Sequence, residues 1–471
     1  MVAALTFYCE LSPELINGEI KFTPFNEDGT LMMQGRNIID YYFSIAEQVW
    51  RNYNDDISSK PYNPGLFAWG IHYEVRSYCE MYRLTNDPLW VERAVARCDY
   101  LYGVRDVNGD GVPSWGNYNA TYGNERYARE GWREFSVWDG VITTSLIETA
   151  QLILEHQELR ENPTLREKAN QYLEIVKTVI DRYHNAWTEI SEGMGYYWDS
   201  PEEDVTGPIV NRFAALGITE IKLYDMLGDP EYLVRPAAMA AFFKANLMLH
   251  DGAYVWRYAL PPSRYTGAIE DISHGAIDLE FAILCYEHNL VFNETDMKCF
   301  VATYKSLMWR GLNRKPHLTM RVDGSRDKDY SPYSRNWVLL SKFDPDIWTL
   351  QWIVFDDHQP HYSGSYLQAI SQLITHYVGE KAVEAVLKEA EMIVERTSQT
   401  FQPFKYLAER SLKRAYRLYE SERAAAAFKE ARRCAVMAEN AGKASLVLAT
   451  IAVSAVILAV IQIWVGRRSK M

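Results

Sequence analysis

The sequence predicts a mainly α-helical protein. Its helices pair into hairpins that close into a ring of five or six, an α/α toroid, with a short irregular or β N-terminal arm and a C-terminal transmembrane helix. Three observations carry this. Helical periodicity recurs from Asn37 almost to residue 398. Helices of two kinds alternate, one apolar nearly all round and one with a single apolar stripe, as expected of an inner and an outer layer. Finally, the stretch from Ala444 to Val465 carries no charge, is bounded by Lys443 and Arg467, and is long enough to cross a bilayer.

In chain order, residues 1–35 alternate short apolar groups with turns at Asn17-Gly18 and Asp28-Gly29, an arm rather than a domain. Residues 36–398 form the ring. Helices are expected at about 36–53, 65–85, 88–104, 139–157, 164–187, 208–228, 231–249, 272–289, 294–311, 364–378 and 380–397, with a short one near 345–355. The segment 164–187 places Leu165, Ala169, Tyr172, Leu173, Val176, Ile180 and Tyr183 on one stripe and is an outer helix. By contrast 208–227 and 272–284 are apolar on all sides and are inner helices. Inner starts fall near 65, 139, 208, 272 and 364. Residues 399–443 read as a charged helical stalk, 444–465 as the membrane span and 466–471 as a basic tail.

With 471 residues, 48% of them hydrophobic, the chain can bury a large core. Its net charge of -13 provides no basic stripe for a phosphate backbone and argues against nucleic acid as a partner. The six cysteines lack the CxxC spacing of a zinc site. Cys79 with Cys98, and Cys285 with Cys299, fall on successive helices, and spacing alone leaves their pairing open. No basic, apolar leader of the secretory kind opens the sequence. The basic residues flanking the span are too balanced to orient it, so a single-pass C-terminal anchor is expected, with the ring outside the cell or as a cytosolic tail-anchored domain. The Asn119 and Asn293 acceptor triplets lean toward the outside.

If the inner helices all start at one end, the loops 105–138, 188–207, 250–271 and 312–363 meet at one mouth. The stretch Tyr254 to Phe281 leads into an inner helix there. Its His274 is the foremost catalytic candidate, with Tyr258, Asp139, Asn211 and Arg212. Abstraction of a proton α to a uronate carboxylate needs a base, an acid and a neutraliser for the enolate. Histidine, tyrosine and an Asn-Arg pair can supply these. His72, Trp138, Trp256, Arg257, Arg264, Tyr265, Glu270 and His361 are the expected substrate-binding residues. Each also has an ordinary structural account: Asp271 is a helix N-cap as readily as a catalytic group, and half the aromatics belong to core or rim. In a rival reading, Asp139 and Glu270 or Asp271 flank a glycosidic bond as acid and base. Residues Asp106, Asn108 and Asp110 match the opening of a calcium loop, with Asn117 where a glutamate belongs. A structural calcium ion and a tight metal-free turn both fit that spacing. No other cofactor is required.

The hairpin alternation, together with the WRY and EDISHG segments approaching an inner helix, resembles the α/α-toroid polysaccharide-processing enzymes, a group of polysaccharide lyases, uronyl hydrolases and six-hairpin glycosidases. The resemblance spans about residues 36–398. It implies a membrane-anchored lyase that cleaves an acidic polysaccharide or oligosaccharide by β-elimination. A glycoside hydrolase on the same toroid is the alternative, and a non-catalytic carbohydrate-binding or scaffold protein the third. DPD at 344–346 is followed by isoleucine, so the DxDD acid motif of terpene cyclases is missing.

Overall fold

Helix starts in this chain are marked by short polar side chains that accept from the first free N–H groups. Asp87 accepts from Leu89, with Pro88 at the first helical position, and Asn162 accepts from Thr164 and Leu165, followed by Pro163. Asp271, Asn293 and Ser363 do the same at three later starts. Asn86 and Gly228 end helices in the left-handed conformation, φ +53° and +70°. The computed structural model describes residues 31–118, 131–204, 206–263, 265–311 and 315–377.

The helices are α1 (Ile38–Ser59), α2 (His72–Thr85), α3 (Pro88–Gly103), α4 (Ser136–Glu155), α5 (Gln157–Glu161), α6 (Pro163–Tyr183), α7 (Val210–Leu227), α8 (Glu231–Ala245), α9 (Ile272–Glu287), α10 (Glu294–Ala302), α11 (Asp346–Asp357) and α12 (Gly364–Thr375). A π-helical turn, Phe67–Ile71, leads into α2, and a 3-10 segment, Trp337–Lys342, precedes α11. The two predicted kinds are present. In α4, α7 and α9 nearly every residue of the first three turns is buried, whereas α6 buries only the stripe Ala169, Tyr172, Val176, Val179, Ile180 and Tyr183.

Two compact units divide the chain. One comprises Met1–Tyr41, Gly311–Pro316 and Val378–Met471; the other comprises Tyr42–Arg310 and His317–Tyr377. In the first, the described residues form a small antiparallel ribbon of Met32–Met33 with Arg36–Asn37, part of the expected arm. The second holds the ring. Helix α2 packs on α4, α4 on α7, α7 on α9, α9 on the 337–342 segment, that segment on α12, and α12 back on α2. This closed cycle is an α/α toroid with five long inner helices and one short inner segment. Close contacts between inner helices use glycine. A Cβ at Gly140 would collide with the backbone of Ala215 and Leu216, and one at Gly364 with Gly70 O.

Asn336 links the ring where its inner wall is shortest. Its Nδ2 donates to Ala276 O and to Glu280 Oε2 on α9, while its N–H and Oδ1 pair with the Gln372 amide on α12. The centre is filled with paired charge rather than left open. Arg76 donates to Glu148 Oε2 at 3.0 Å and to Glu280 Oε2 at 2.9 Å, and Lys222 lies 2.8 Å from Glu148 Oε1. Two cations and two anions from four inner helices therefore neutralise one another.

Cys79, Cys98, Cys285 and Cys299 are free thiols, so neither suggested disulfide forms. Cys79 and Cys98 instead sit on either side of the Thr149 hydroxyl, at 3.6 and 3.3 Å. Among the described residues no helix is long and apolar enough to cross a membrane. The expected span 444–465, the stalk, the basic tail, the helix at 380–397 and residues 1–30 of the arm all lie outside the described residues.

Candidate functional site

The stretch before α9 is more ordered than its prolines suggest. Tyr258 N–H donates to Ala268 O, Glu270 N–H to Trp256 O, and Val210 N–H to Tyr258 O, which lays residues 256–270 as a paired excursion across the start of α7. The chain then turns into α9 at Asp271. The Oδ1 of Asp271 accepts from Ser273 N–H at 2.9 Å and His274 N–H at 3.1 Å, while its Oδ2 lies 2.8 Å from His274 Nδ1. Burial pushes the Asp271 carboxyl up, but the His274 imidazole and the capping N–H groups outweigh it and hold it below the ordinary range. An ionised carboxylate can only accept, so His274 carries a proton on Nδ1.

His274 is about one-third exposed. Its ring lies edge-on to Trp69, with centroids 5.8 Å apart, and 5.6 Å from Tyr258. Trp69 belongs to the π-helical turn that opens α2, which does not neighbour α9 in the ring cycle. The contact therefore spans the mouth, and π-turns of this kind recur at functional sites. Burial raises the Tyr258 hydroxyl pKa, opposed by a hydrogen bond with Arg212. Arg212 itself is buried and paired with Asp199 Oδ2 at 3.0 Å. From the 317–363 region, Arg335 lies 3.8 Å over the Tyr73 ring and donates to Ser273 Oγ at 3.2 Å.

His274, Tyr258, Arg212 and Glu270 thus come together. Asn211 adjoins Arg212 in the first turn of α7, buried, with Oδ1 lacking a hydrogen-bond partner among the described residues. Asp139, at the start of α4, belongs to a second acidic cluster. It accepts from Trp115 N–H at 3.1 Å and Tyr183 OH at 2.8 Å, and burial with the nearby Glu134 pushes it up to about 8. Ser114 Oγ and Trp132 Nε1 donate to Glu134, at 2.7 and 2.9 Å. The two clusters are joined through Asp199, whose carbonyl receives the N–H that starts α4 at Ser136 and whose carboxylate holds Arg212.

The expected binding residues are dispersed. His72 is buried with its ring tilted against that of Tyr73, centroids 3.5 Å apart, and burial with Arg76 and Arg335 keeps it neutral. Trp138 packs edge-on to Phe135 at 4.7 Å. Trp256 lies wholly in the core, stacked on Trp337, its indole donating to Asp278 Oδ2 at 2.8 Å; it supports the site from below and has no surface at the mouth. Arg257 is exposed and donates to Thr266 O, and Tyr265 N–H donates to Ser263 Oγ. His361 bonds Ser363 Oγ at 2.9 Å beside Tyr333, and burial with His358 lowers its pKa. Arg264 lies outside the described residues.

In the 106–111 turn, the Asp106 carboxylate accepts from Gly111 N–H, and the Asp110 carboxylate from Val112 N–H and Asn108 Nδ2. These oxygens close the turn on itself. Among the described residues, the imidazole and carboxylate atoms near enough to share a cation are those of Glu270, Asp271 and His274, within 4.8 Å of one another.

Sequence reasoning passed over Tyr73, Asp278 and Arg335. Asp278 had a signal, because Glu270, His274 and Asp278 follow one another at four-residue steps along one face. Arg335 had none, since it lies in a long loop without periodicity.

No family model matches the chain, and no curated protein is similar to it. Solved structures similar to it include an inactive variant of a family 76 α-1,6-mannanase of Salegentibacter sp. in complex with α-1,6-mannotriose. It is 11% identical, with a TM-score of 0.42, over 66% of this chain and 88% of that one. A family 76 glycoside hydrolase from a bovine Bacteroides thetaiotaomicron strain is 10% identical, with a TM-score of 0.34, over 68% of this chain and 70% of that one.

Proposed function

We propose that the ring is a glycoside hydrolase that cleaves a saccharide at the mouth formed by the starts of α2, α4, α7 and α9. The observation that carries this is a pair of carboxyl groups at inner-helix starts whose surroundings push them in opposite directions. Asp271 is held ionised, while Asp139 is kept protonated up to about 8. Glycoside hydrolysis needs this division: an acid for the leaving oxygen and a carboxylate for the anomeric carbon or its water. Trp69 and Tyr258 beside His274 offer the flat faces that sugars stack on. Asp139 is covered in the ring as it stands, so the proposal requires it to be uncovered when saccharide binds.

β-Elimination is the weaker reading because its neutraliser is occupied. Arg212 is buried against Asp199, and moving it to a uronate would leave that aspartate unpaired in the interior. Incubation of the full chain with neutral and uronate-containing oligosaccharides separates the two. New reducing ends without the ultraviolet absorbance of an unsaturated uronate are expected, and the unsaturated product would restore the lyase. Binding without cleavage would leave a carbohydrate-binding module. The uncharged span 444–465 adds the proposal that the ring is tethered to a membrane, tested by whether alkaline carbonate releases the chain from membranes.

A further inference from the structure

Arg335 differs from every other buried arginine among the described residues. Arg76 meets Glu148 and Glu280, Arg97 meets Glu74, Arg133 meets Glu203 and Arg212 meets Asp199. Arg335 is 1% exposed and forms an ion pair with no carboxylate among the described residues. Its partners are neutral: Nη1 donates to Ser273 Oγ at 3.2 Å and to Tyr333 O at 3.4 Å, and Nη2 donates to Tyr73 OH. Its Nε has no hydrogen-bond partner among the described residues. The guanidinium carbon stands 3.8 Å from the centre of the Tyr73 ring. That cation–π contact and those neutral acceptors recover only part of the cost of taking a guanidinium out of water. The acids in its surroundings are committed elsewhere, Asp271 to His274 and Glu280 to Arg76 and Asn336.

We infer that Arg335 is an anion subsite at the mouth, and that the saccharide bound there carries a carboxylate or sulfate group that serves as its counter-ion. The position fits. Tyr73 lies in the first turn of α2 and Ser273 in the first turn of α9, the two helix starts that also meet through Trp69 and His274. Ser273 is only part-buried, so its hydroxyl is the group an entering anion would replace on Nη1. The planar fork of a guanidinium suits paired anionic oxygens. The chain on either side of Arg335 is pinned. Ser334 O accepts from Gln351 Nε2 at 3.2 Å, and Asn336, left-handed at φ +66°, donates its N–H to Gln372 Oε1 at 2.8 Å. The cation is therefore held in place before any ligand arrives, which lowers the ordering cost of binding. On α12, which packs against α2, Ser365 Oγ and both amide atoms of Gln368 are also buried without hydrogen-bond partners among the described residues. The step from subsite to substrate class rests on the hydrolase reading; the subsite itself does not.

Isothermal titration of the full chain with pairs of oligosaccharides that differ only in charge tests this. The probes are oligomers of glucuronate, galacturonate and mannuronate, each beside its carboxyl-reduced counterpart, and a sulfated glucan oligomer beside the unsulfated one. In at least one pair the parent protein should bind the charged member about ten-fold or more tightly than the neutral one. Which pair shows the preference distinguishes carboxylate from sulfate. A parent protein that prefers no charged member overturns the subsite without any substitution. Arg335→Met removes the charge at similar length; it should abolish the preference and leave the affinity for the neutral member within about two-fold. A preference retained in that variant would assign the anion to another residue and sink the proposal. If the variant does not fold, the comparison in the parent still decides. The hydrolase reading fails separately: a charged oligosaccharide that binds through Arg335 and is not cleaved keeps the subsite and ends that reading. Cleavage of neutral oligosaccharides alone, with no preference for charge, keeps the hydrolase and removes the subsite.

Discussion

Asp271 holds His274 twice, once by the backbone N–H and once by the imidazole, at 3.1 and 2.8 Å. One carboxylate therefore starts helix α9, fixes the tautomer of the histidine on its first turn and remains ionised by doing so. A structural and a chemical role coincide on the same three atoms, and substitutions must be chosen to separate them.

Asparagine caps helices about as well as aspartate but cannot act as a carboxylate. Asp271→Asn is expected to keep Tm near that of the parent while lowering kcat by about 10²- to 10⁴-fold. Asp271→Ala should lose the cap as well, costing about 1 kcal/mol in urea unfolding. Equal activity in Asp271→Asn and the parent would remove Asp271 from the chemistry.

Asp139 carries a pH signature of the opposite sign. Its folded-state pKa is raised from 3.8 to about 8, by burial first and Glu134 second, so between these values the folded chain binds a proton that the unfolded chain has released. This contribution is fully present below the unfolded pKa and is lost as pH rises through the folded one. The Asp139→Asn protein should lack that decline, so Tm measured from about pH 4 to 8 should be flatter than in the parent. Parallel curves would show that Asp139 is ionised in the fold.

Much of the ring was legible in the sequence, because layer position writes itself into periodicity. The one-sided stripe of 164–187 and the all-round apolar 208–227 became an outer and an inner helix with ends shifted by a few residues. Asp271 was legible as a cap and His274 as its first-turn neighbour. The sixth inner element of the expected five or six was not, because Trp337–Lys342 is too short to show a period and depends on the Asn336 side chain bridging α9 and α12. Nor was the core position of Trp256, since an aromatic in a polar loop looks alike whether it faces a sugar or the underside of a helix. Arg212 was recognised as charged at the mouth, but its partner Asp199 lies on a loop with no fixed spacing to it.

Trp69 is the aromatic that reaches across the mouth to His274. If it also stacks on saccharide, Trp69→Ala should raise KM by about ten-fold, whereas Trp69→Phe should retain most of the affinity. Isothermal titration with a bound oligosaccharide reads this directly, and unchanged affinity in the alanine protein would confine Trp69 to packing.

The paired charges at the centre of the ring give the sharpest test of what holds the inner helices together. Glu148 sits between Arg76 of α2 and Lys222 of α7; burial pushes its carboxyl up, but the two cations outweigh this and hold it far below the ordinary range. Glu148→Gln keeps the shape and removes the charge, leaving Arg76 with Glu280 alone and Lys222 buried without its counter-ion. Breaking a buried pair in this way costs about 3 to 5 kcal/mol, well above the effect of a surface ion pair. The sign with pH follows from the depressed pKa. The stabilisation is present above the unfolded value of 4.5 and is lost as pH falls toward the folded one, so the parent and Glu148→Gln should differ most near neutrality and converge in acid. Urea midpoints at pH 7 and pH 3 measure this. A gap that stays constant between them would mean that the network acts through packing rather than charge.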